Sequence, residues 1–178
     1  TLDWSNIPDD TTVNLNPFTL SYFGTDKIEI TQRETGDVLI ETGFILGLSE
    51  FTYIENVKAG SGDDTIQLNS VKNLIEAGAG NDTISSIDDL DSVYGEEGND
   101  YFQANSLKFS LIDGGMGTDT LHIAGSLQEN GLYLVDLRNL EEGQINGIEI
   151  FSFSSNEVLG RGQILVSSKT FKDIGVNT

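Results

Sequence analysis

Four aspartates stand at a spacing that could do chemistry. Asp64, Asp82, Asp100 and Asp119 are separated by 18, 18 and 19 residues, and each closes a short glycine-rich segment. The segments align without gaps: Ala59-Gly60-Ser61-Gly62-Asp63-Asp64-Thr65-Ile66, Ala77-Gly78-Ala79-Gly80-Asn81-Asp82-Thr83-Ile84, Gly95-Glu96-Glu97-Gly98-Asn99-Asp100-Tyr101-Phe102 and Gly114-Gly115-Met116-Gly117-Thr118-Asp119-Thr120-Leu121. A large apolar residue always follows two positions after the Asp. If the period is one turn of a coil, the carboxylates stack in a column at strand spacing, about 4.8 Å. Neighbours about 5 Å apart would repel by roughly 3 kcal/mol per pair at an effective dielectric of about 20, so a cation belongs between them. Calcium suits the place: it is a hard ion that takes about six to eight oxygens from carboxylates and backbone carbonyls, whereas magnesium demands a tight octahedron and keeps its waters. Glycines, lacking Cβ, let the backbone carbonyls come close.

The elements that must hold this column are marked by a finer period. Val57, Ile66, Ile75, Ile84, Val93 and Phe102 recur every nine residues, and Ile112 and Leu121 follow after one inserted residue between Phe102 and Ile112. Each nonapeptide reads as a six-residue turn followed by a short strand whose large apolar residue points inward. Two turns and two strands close an 18-residue coil. Ile66, Ile84, Phe102 and Leu121 then line one inner wall, and Val57, Ile75, Val93 and Ile112 line the other. Such a core is thin and does not stabilise the stack alone.

These segments resemble the nonapeptide G-G-x-G-x-D-x-U-x of the RTX, or hemolysin-type, calcium-binding proteins, over residues 57–122. The resemblance implies an all-β fold, a right-handed parallel β-roll (a β-solenoid with 18 residues per coil) flanked by strand-rich capping segments. Residues 1–56 form the N-terminal cap or spacer, 57–122 the roll and 123–178 the C-terminal cap or spacer, in one continuous domain. Four loops leave three gaps, 64/82, 82/100 and 100/119, and hence about three Ca2+ ions. Asp64, Asp82, Asp100 and Asp119 supply side chains. Gly60, Gly62, Asp63, Gly78, Gly80, Asn81, Gly95, Glu97, Gly98, Asn99, Gly115 and Gly117 supply backbone carbonyls or loop geometry. Ala59, Ala77 and Glu96 depart from the pattern, which has Gly there. Glu96 is the larger departure and bears on the backbone of the third loop.

The opposite edge of the coil differs. Its turns, Leu68–Asn73, Ser86–Asp91 and Ala104–Phe109, lack paired glycines, and only Asp91 falls at the acidic position. Asp91, or Asp88 with Asp89, could take an ion, but solvated turn residues are the simpler reading. The flanks carry strand-like pieces at 12–15, 27–31, 37–41, 51–54, 132–137, 148–153 and 163–167, punctuated by Pro8, Pro17, Gly24, Gly36 and Gly43. A faint echo links 53–57 with 147–151. Caps are needed because open coils expose apolar core and unpaired strand edges.

Composition sets the outer bounds. Among 178 residues, 9 Lys+Arg face 29 Asp+Glu, a formal charge of −20, with no Cys and one His. Such a surface repels phosphate, so nucleic acid is an unsuitable partner. No disulfide, thiol nucleophile or Cys-ligated metal is possible. No apolar run is long enough for a membrane helix. The chain begins at Thr1 and reads as a piece of something longer.

Enzyme motifs are missing: there is no H-E-x-x-H, no G-x-S-x-G, no Walker loop and no dinucleotide fingerprint. His122, on the strand after the last glycine loop, reads as an ordinary strand residue and not as a general base. The sequon Asn81-Asp82-Thr83 is absorbed by the repeat. Phe44, Phe51, Phe151 and Phe153 read as cap core. The expectation is therefore a non-enzymatic calcium-binding module that folds on meeting extracellular calcium. It would serve as a structural or spacer segment of a secreted or cell-surface bacterial protein such as an adhesin, exported unfolded through a type I channel. A surface- or sugar-binding module, or a non-catalytic appendage of a secreted enzyme, is the alternative. An ice-binding version is disfavoured because Ser61, Ala79, Glu97 and Met116 make no regular Thr array.

Overall fold

The computed structural model describes residues 1–15, 20–23, 30–32, 38–40, 44–47, 54–88, 90–127, 133–153 and 162–165. Its framework is two parallel sheets, each passed through once per coil. The first contains Asn56–Lys58, Leu74–Glu76, Ser92–Tyr94 and Leu111–Asp113. The second contains Thr65–Gln67, Thr83–Ile87, Tyr101–Ala104 and Thr120–Ile123. Register follows the apolar period residue for residue. Val57 pairs with Ile75, Ile75 with Val93 and Val93 with Ile112. Ile66 pairs with Ile84, Ile84 with Phe102 and Phe102 with Leu121. The chain is a parallel β-roll. Short strands suffice because each of these strands pairs on both sides and buries at least one inward residue, so each coil leans on its neighbours.

All eight wall residues are buried, at 0–1% exposure. Ala59, Ala77, Leu68, Ile87, Ala104, Phe109 and Ile123 are buried as well. Along the outer face of the first sheet, Lys58 pairs with Glu76 at 2.5 Å, a solvated contact of small energetic value.

Both sheets continue beyond residues 57 and 122. On the N-terminal side, Leu2–Asp3 adds to the first sheet with Leu2 opposite Val57, and Thr11–Asn14 adds to the second with Val13 opposite Ile66. On the C-terminal side, Ile145 sits opposite Ile112 and Phe151 opposite Leu121. The echo between 53–57 and 147–151 therefore does not mark equivalent positions, since Val57 belongs to the first sheet and Phe151 to the second. Farther out, Val38–Ile40 and Ile30–Gln32 extend the first sheet, while Leu20–Phe23 and Phe44–Gly47 extend the second. The pairings Thr11–Asn14/Leu20–Phe23, Leu20–Phe23/Phe44–Gly47 and Ile30–Gln32/Val38–Ile40 are antiparallel. A third, separate sheet joins Ser126–Leu127, Tyr133–Asp136 and Gly162–Leu165. Of the strand-like pieces anticipated in the flanks, residues 27–29, 37, 41, 51–53 (with Phe51), 132 and 166–167 lie outside the described residues.

Candidate metal column

The strand register brings the four aspartates into one file. Each is buried, at 0–1% exposure, although each is a carboxylic acid. One oxygen of each holds the previous coil. The amide of Asp64 donates to Asp82 Oδ1 at 2.7 Å, that of Asp82 to Asp100 Oδ1 at 2.8 Å, and that of Asp100 to Asp119 Oδ1 at 2.8 Å. The second oxygens of Asp82, Asp100 and Asp119 are buried with no hydrogen-bond partner. A buried acceptor without a donor is costly and rare, and one natural explanation is an ion.

Burial drives the protonation behaviour. Loss of hydration pushes Asp82 up to about 8, and the nearby carboxylates of Asp100 and Asp64 add to it against the Asp64 amide, which pulls down. Burial likewise pushes Asp100 up to about 6, with the Asp119 charge adding. Asp119 is raised by burial, with Glu149 and Asp113 adding. Asp64 is raised by burial too, but hydrogen bonds from Thr11 and Trp4 oppose the shift.

Three carboxylates destabilised by burial and mutual repulsion, each with an unmet oxygen, fit a hard divalent cation. Among the described residues no three acidic or histidine side chains converge on one point. A site here must combine column carboxylates with backbone carbonyls. The loops provide them. At Gly117, φ is +142°, and a Cβ there would overlap the carbonyl of Gly98 in the loop before. Only glycine permits that approach. Neighbouring loops are also tied by backbone bonds, Ala79 N–H to Gly60 O at 3.0 Å, Glu97 N–H to Gly78 O at 2.9 Å and Gly98 N–H to Met116 O at 2.9 Å.

The side chains of Asp63, Asn81 and Asn99, residues expected to supply backbone carbonyls or loop geometry, form a second ladder. Asp63 Oδ1 accepts the Asn81 amide at 2.6 Å, Asn81 Oδ1 the Asn99 amide at 3.0 Å, and Asn99 Oδ1 the Thr118 amide at 2.8 Å. Asp10 begins this ladder by accepting the Asp63 amide at 3.0 Å. Glu96 keeps the third loop in shape at a cost: its φ is +74°, in the same left-handed region as Gly78 and Gly115 of the flanking loops.

The two ends of the column were not visible in the repeat motif. At the N-terminal end, Asp64 Oδ1 accepts from the Thr11 amide at 2.8 Å and hydroxyl at 2.6 Å, and Oδ2 accepts from Trp4 Nε1 at 3.2 Å. At the C-terminal end, Glu149 Oε2 accepts the Asp119 amide at 2.8 Å, the place an aspartate holds elsewhere. A signal existed for the first: Val13 and Thr11 stand two apart, like each apolar residue and its Asp.

The opposite edge is drier than expected. Asp91 is 1% exposed and is not a solvated turn residue. Its carboxylate accepts the Asn73 amide at 2.7 Å and the Asp88 amide at 2.9 Å, because the coil presses this turn against its neighbours. Asp88 itself accepts from the Ser106 hydroxyl at 2.7 Å. Asp89 lies outside the described residues. His122 lies on its strand, half-buried, with Nδ1 2.9 Å from Ser152 Oγ and its ring stacked at 6.4 Å on Tyr101.

A buried aspartate file laid along glycine loops of a parallel roll defines a structural calcium-binding repeat. Residues 52–84 and 69–102 match the family model of the RTX calcium-binding nonapeptide repeat, in four copies. The chain carries RTX calcium-binding repeats, and calcium is the ion they take. Comparison with curated proteins finds no match. No helix among the described residues is long and apolar enough to cross a membrane.

Proposed function

We propose that the chain is a calcium-dependent folding module and spacer of a secreted or cell-surface bacterial protein, such as an adhesin exported through a type I channel. The observation that carries this reading is the set of buried, unpartnered oxygens on Asp82, Asp100 and Asp119. Calcium ions in the gaps 64/82, 82/100 and 100/119 are held by the column carboxylates and the loop carbonyls between Gly60 and Gly117. Three ions would bring the formal charge from −20 to −14. At calcium about 100 times Kd each site adds about 2.7 kcal/mol, so three add about 8 kcal/mol. That is comparable with the whole stability of an ordinary domain, so the ions decide whether the roll exists. Low calcium inside a cell leaves the chain open for export, and millimolar calcium outside closes it.

Small-angle scattering tests the switch. With EGTA the radius of gyration should move toward the unfolded value for 178 residues, about 45 Å; with calcium it should fall toward the compact value of about 16 Å, somewhat larger for an elongated roll. A radius unaffected by calcium would remove the proposal.

A further inference from the structure

We propose that the outer face of the second sheet is a binding strip for an uncharged polysaccharide chain, a role beyond that of a spacer. Two rows of side chains make the strip, because the residues on either side of each inward apolar residue point outward. The first row, in strand register, is Thr12, Thr65, Thr83, Tyr101, Thr120 and Ile150. The second is Asn14, Gln67 and Ser85 and, past a register shift between Ile84 and Ile87, Gln103, His122 and Ser152. Every member but Ile150 carries a hydroxyl, an amide or an imidazole. None is Asp, Glu, Lys or Arg, in a chain whose formal charge is −20. The outer face of the first sheet is different: Asp3, Lys58, Glu76, Tyr94 and Asp113 follow one another in a single row.

Charge and size select the occupant. A strongly acidic chain repels an anionic polymer, and a cationic one would settle on carboxylates elsewhere, so the uncharged face suits a neutral partner. Hydroxyl and amide side chains both donate and accept hydrogen bonds, as sugar hydroxyls do. Tyr101 is 37% exposed and its ring stacks with that of His122 at 6.4 Å, an aromatic surface on which the C–H face of a sugar ring can rest. Cross-strand contacts hold polar ends in place: Asn14 Nδ2 donates to Gln67 Oε1 at 2.8 Å, and His122 Nδ1 lies 2.9 Å from Ser152 Oγ. Side chains already ordered lose less on binding. Six strands about 4.8 Å apart make the strip about 24 Å long, and its two rows stand about 7 Å apart. With side-chain width the strip covers roughly 240 Å², far below the roughly 800 Å² per partner of a stable protein interface. A second copy of the chain is therefore a poor fit, and a narrow linear polymer is a good one. Tyr101 interrupts the threonines of the first row, so this face also lacks the regular Thr array that ice would need.

Native gel electrophoresis of the full chain in calcium tests this, with dextran, galactomannan, xyloglucan or hydroxyethyl cellulose cast into the gel and dextran sulfate as the charged control. Wild type should be retarded by at least one neutral polymer and not by dextran sulfate. Tyr101→Ala and Gln103→Ala should each raise the polymer concentration for half-retardation by at least about threefold. Tyr94→Ala, on the outer face of the first sheet, should leave it unchanged, with far-UV circular dichroism in calcium the same for all. Retardation by no neutral polymer, unchanged retardation of Tyr101→Ala, or an equal loss in Tyr94→Ala would overturn the strip while leaving the calcium column intact. Sedimentation velocity in calcium covers the other occupant. A monomer is expected; a dimer abolished by Tyr101→Ala would assign the face to a second copy and overturn the polysaccharide reading.

Discussion

The backbone amide of Asp64 donates to Oδ1 of Asp82, one coil further along, at 2.7 Å. The carboxylate thereby does two jobs: one oxygen fastens the preceding coil and the other is left without a donor. Fastening costs the protein a buried charge, which the proposed cation would offset.

Replacing Asp82 by Asn separates the two jobs, because the amide oxygen still accepts from Asp64 while the charge is lost. Asp82 borders two gaps and Asp64 only one. In a calcium titration followed by circular dichroism, Asp82→Asn should move the folding midpoint to at least about tenfold higher calcium, equivalent to about 1.4 kcal/mol. Asp64→Asn should move it less. Equal shifts would contradict a stacked column.

Acidity should partly replace calcium. The folded-state values of Asp82 and Asp100, about 8 and about 6, lie above the ordinary carboxylate value. A raised folded value means that the folded chain holds the proton more tightly than the unfolded one. That stabilisation is complete below the unfolded value and is lost as pH rises through about 6 and then about 8. In EGTA, β content should therefore increase as pH is lowered from 8 to 5. With limiting calcium the trend should invert, because protons and calcium compete for the same oxygens. A calcium-free signal flat across this range would show that the column is not buried as described.

How much of this was legible beforehand depended on repetition. The walls Val57/Ile75/Val93/Ile112 and Ile66/Ile84/Phe102/Leu121 could be written down from spacing, and the register agrees, the inserted residue included. Each coil there meets the same demand, so the same residue types recur. The end coils meet a different demand. Leu2 and Val13 join the walls only after an excursion that returns at residue 54, and Ile145 and Phe151 only after another beginning near 124. Their turns carry Thr11 and Glu149 in place of Asp, so neither period nor motif survives to be read. Burial of Asp91 was hidden for a related reason: its turn has no glycines, and its pairing with Asn73 depends on coil stacking and not on local sequence.

Glu96 holds a left-handed backbone that costs a non-glycine residue roughly 1–2 kcal/mol, part of which glycine returns as lost entropy on folding. Glu96→Gly should stabilise the calcium-loaded chain by about 0.5–1 kcal/mol. For a chain of this size that is a rise in Tm of roughly 1–4 °C by calorimetry. A fall in Tm would mean that the Glu96 side chain makes a contribution outweighing its backbone strain.

Trp4, the only tryptophan, is 0% exposed and donates to Asp64 Oδ2. Trp4→Phe leaves that buried carboxylate short of one donor and should cost about 1–3 kcal/mol in urea unfolding with calcium present. The number of calcium ions bound by the variant at saturation should not change, because the N-terminal end of the column is closed by protein donors.

The most direct measurement is far-UV circular dichroism of the chain in EGTA, followed by addition of calcium to millimolar excess, with magnesium as the control. A strong gain of β signal with calcium and little with magnesium is the predicted result. A spectrum already β-rich in EGTA and unmoved by calcium, with an unchanged Tm, would contradict the claim that the aspartate column folds around its ions.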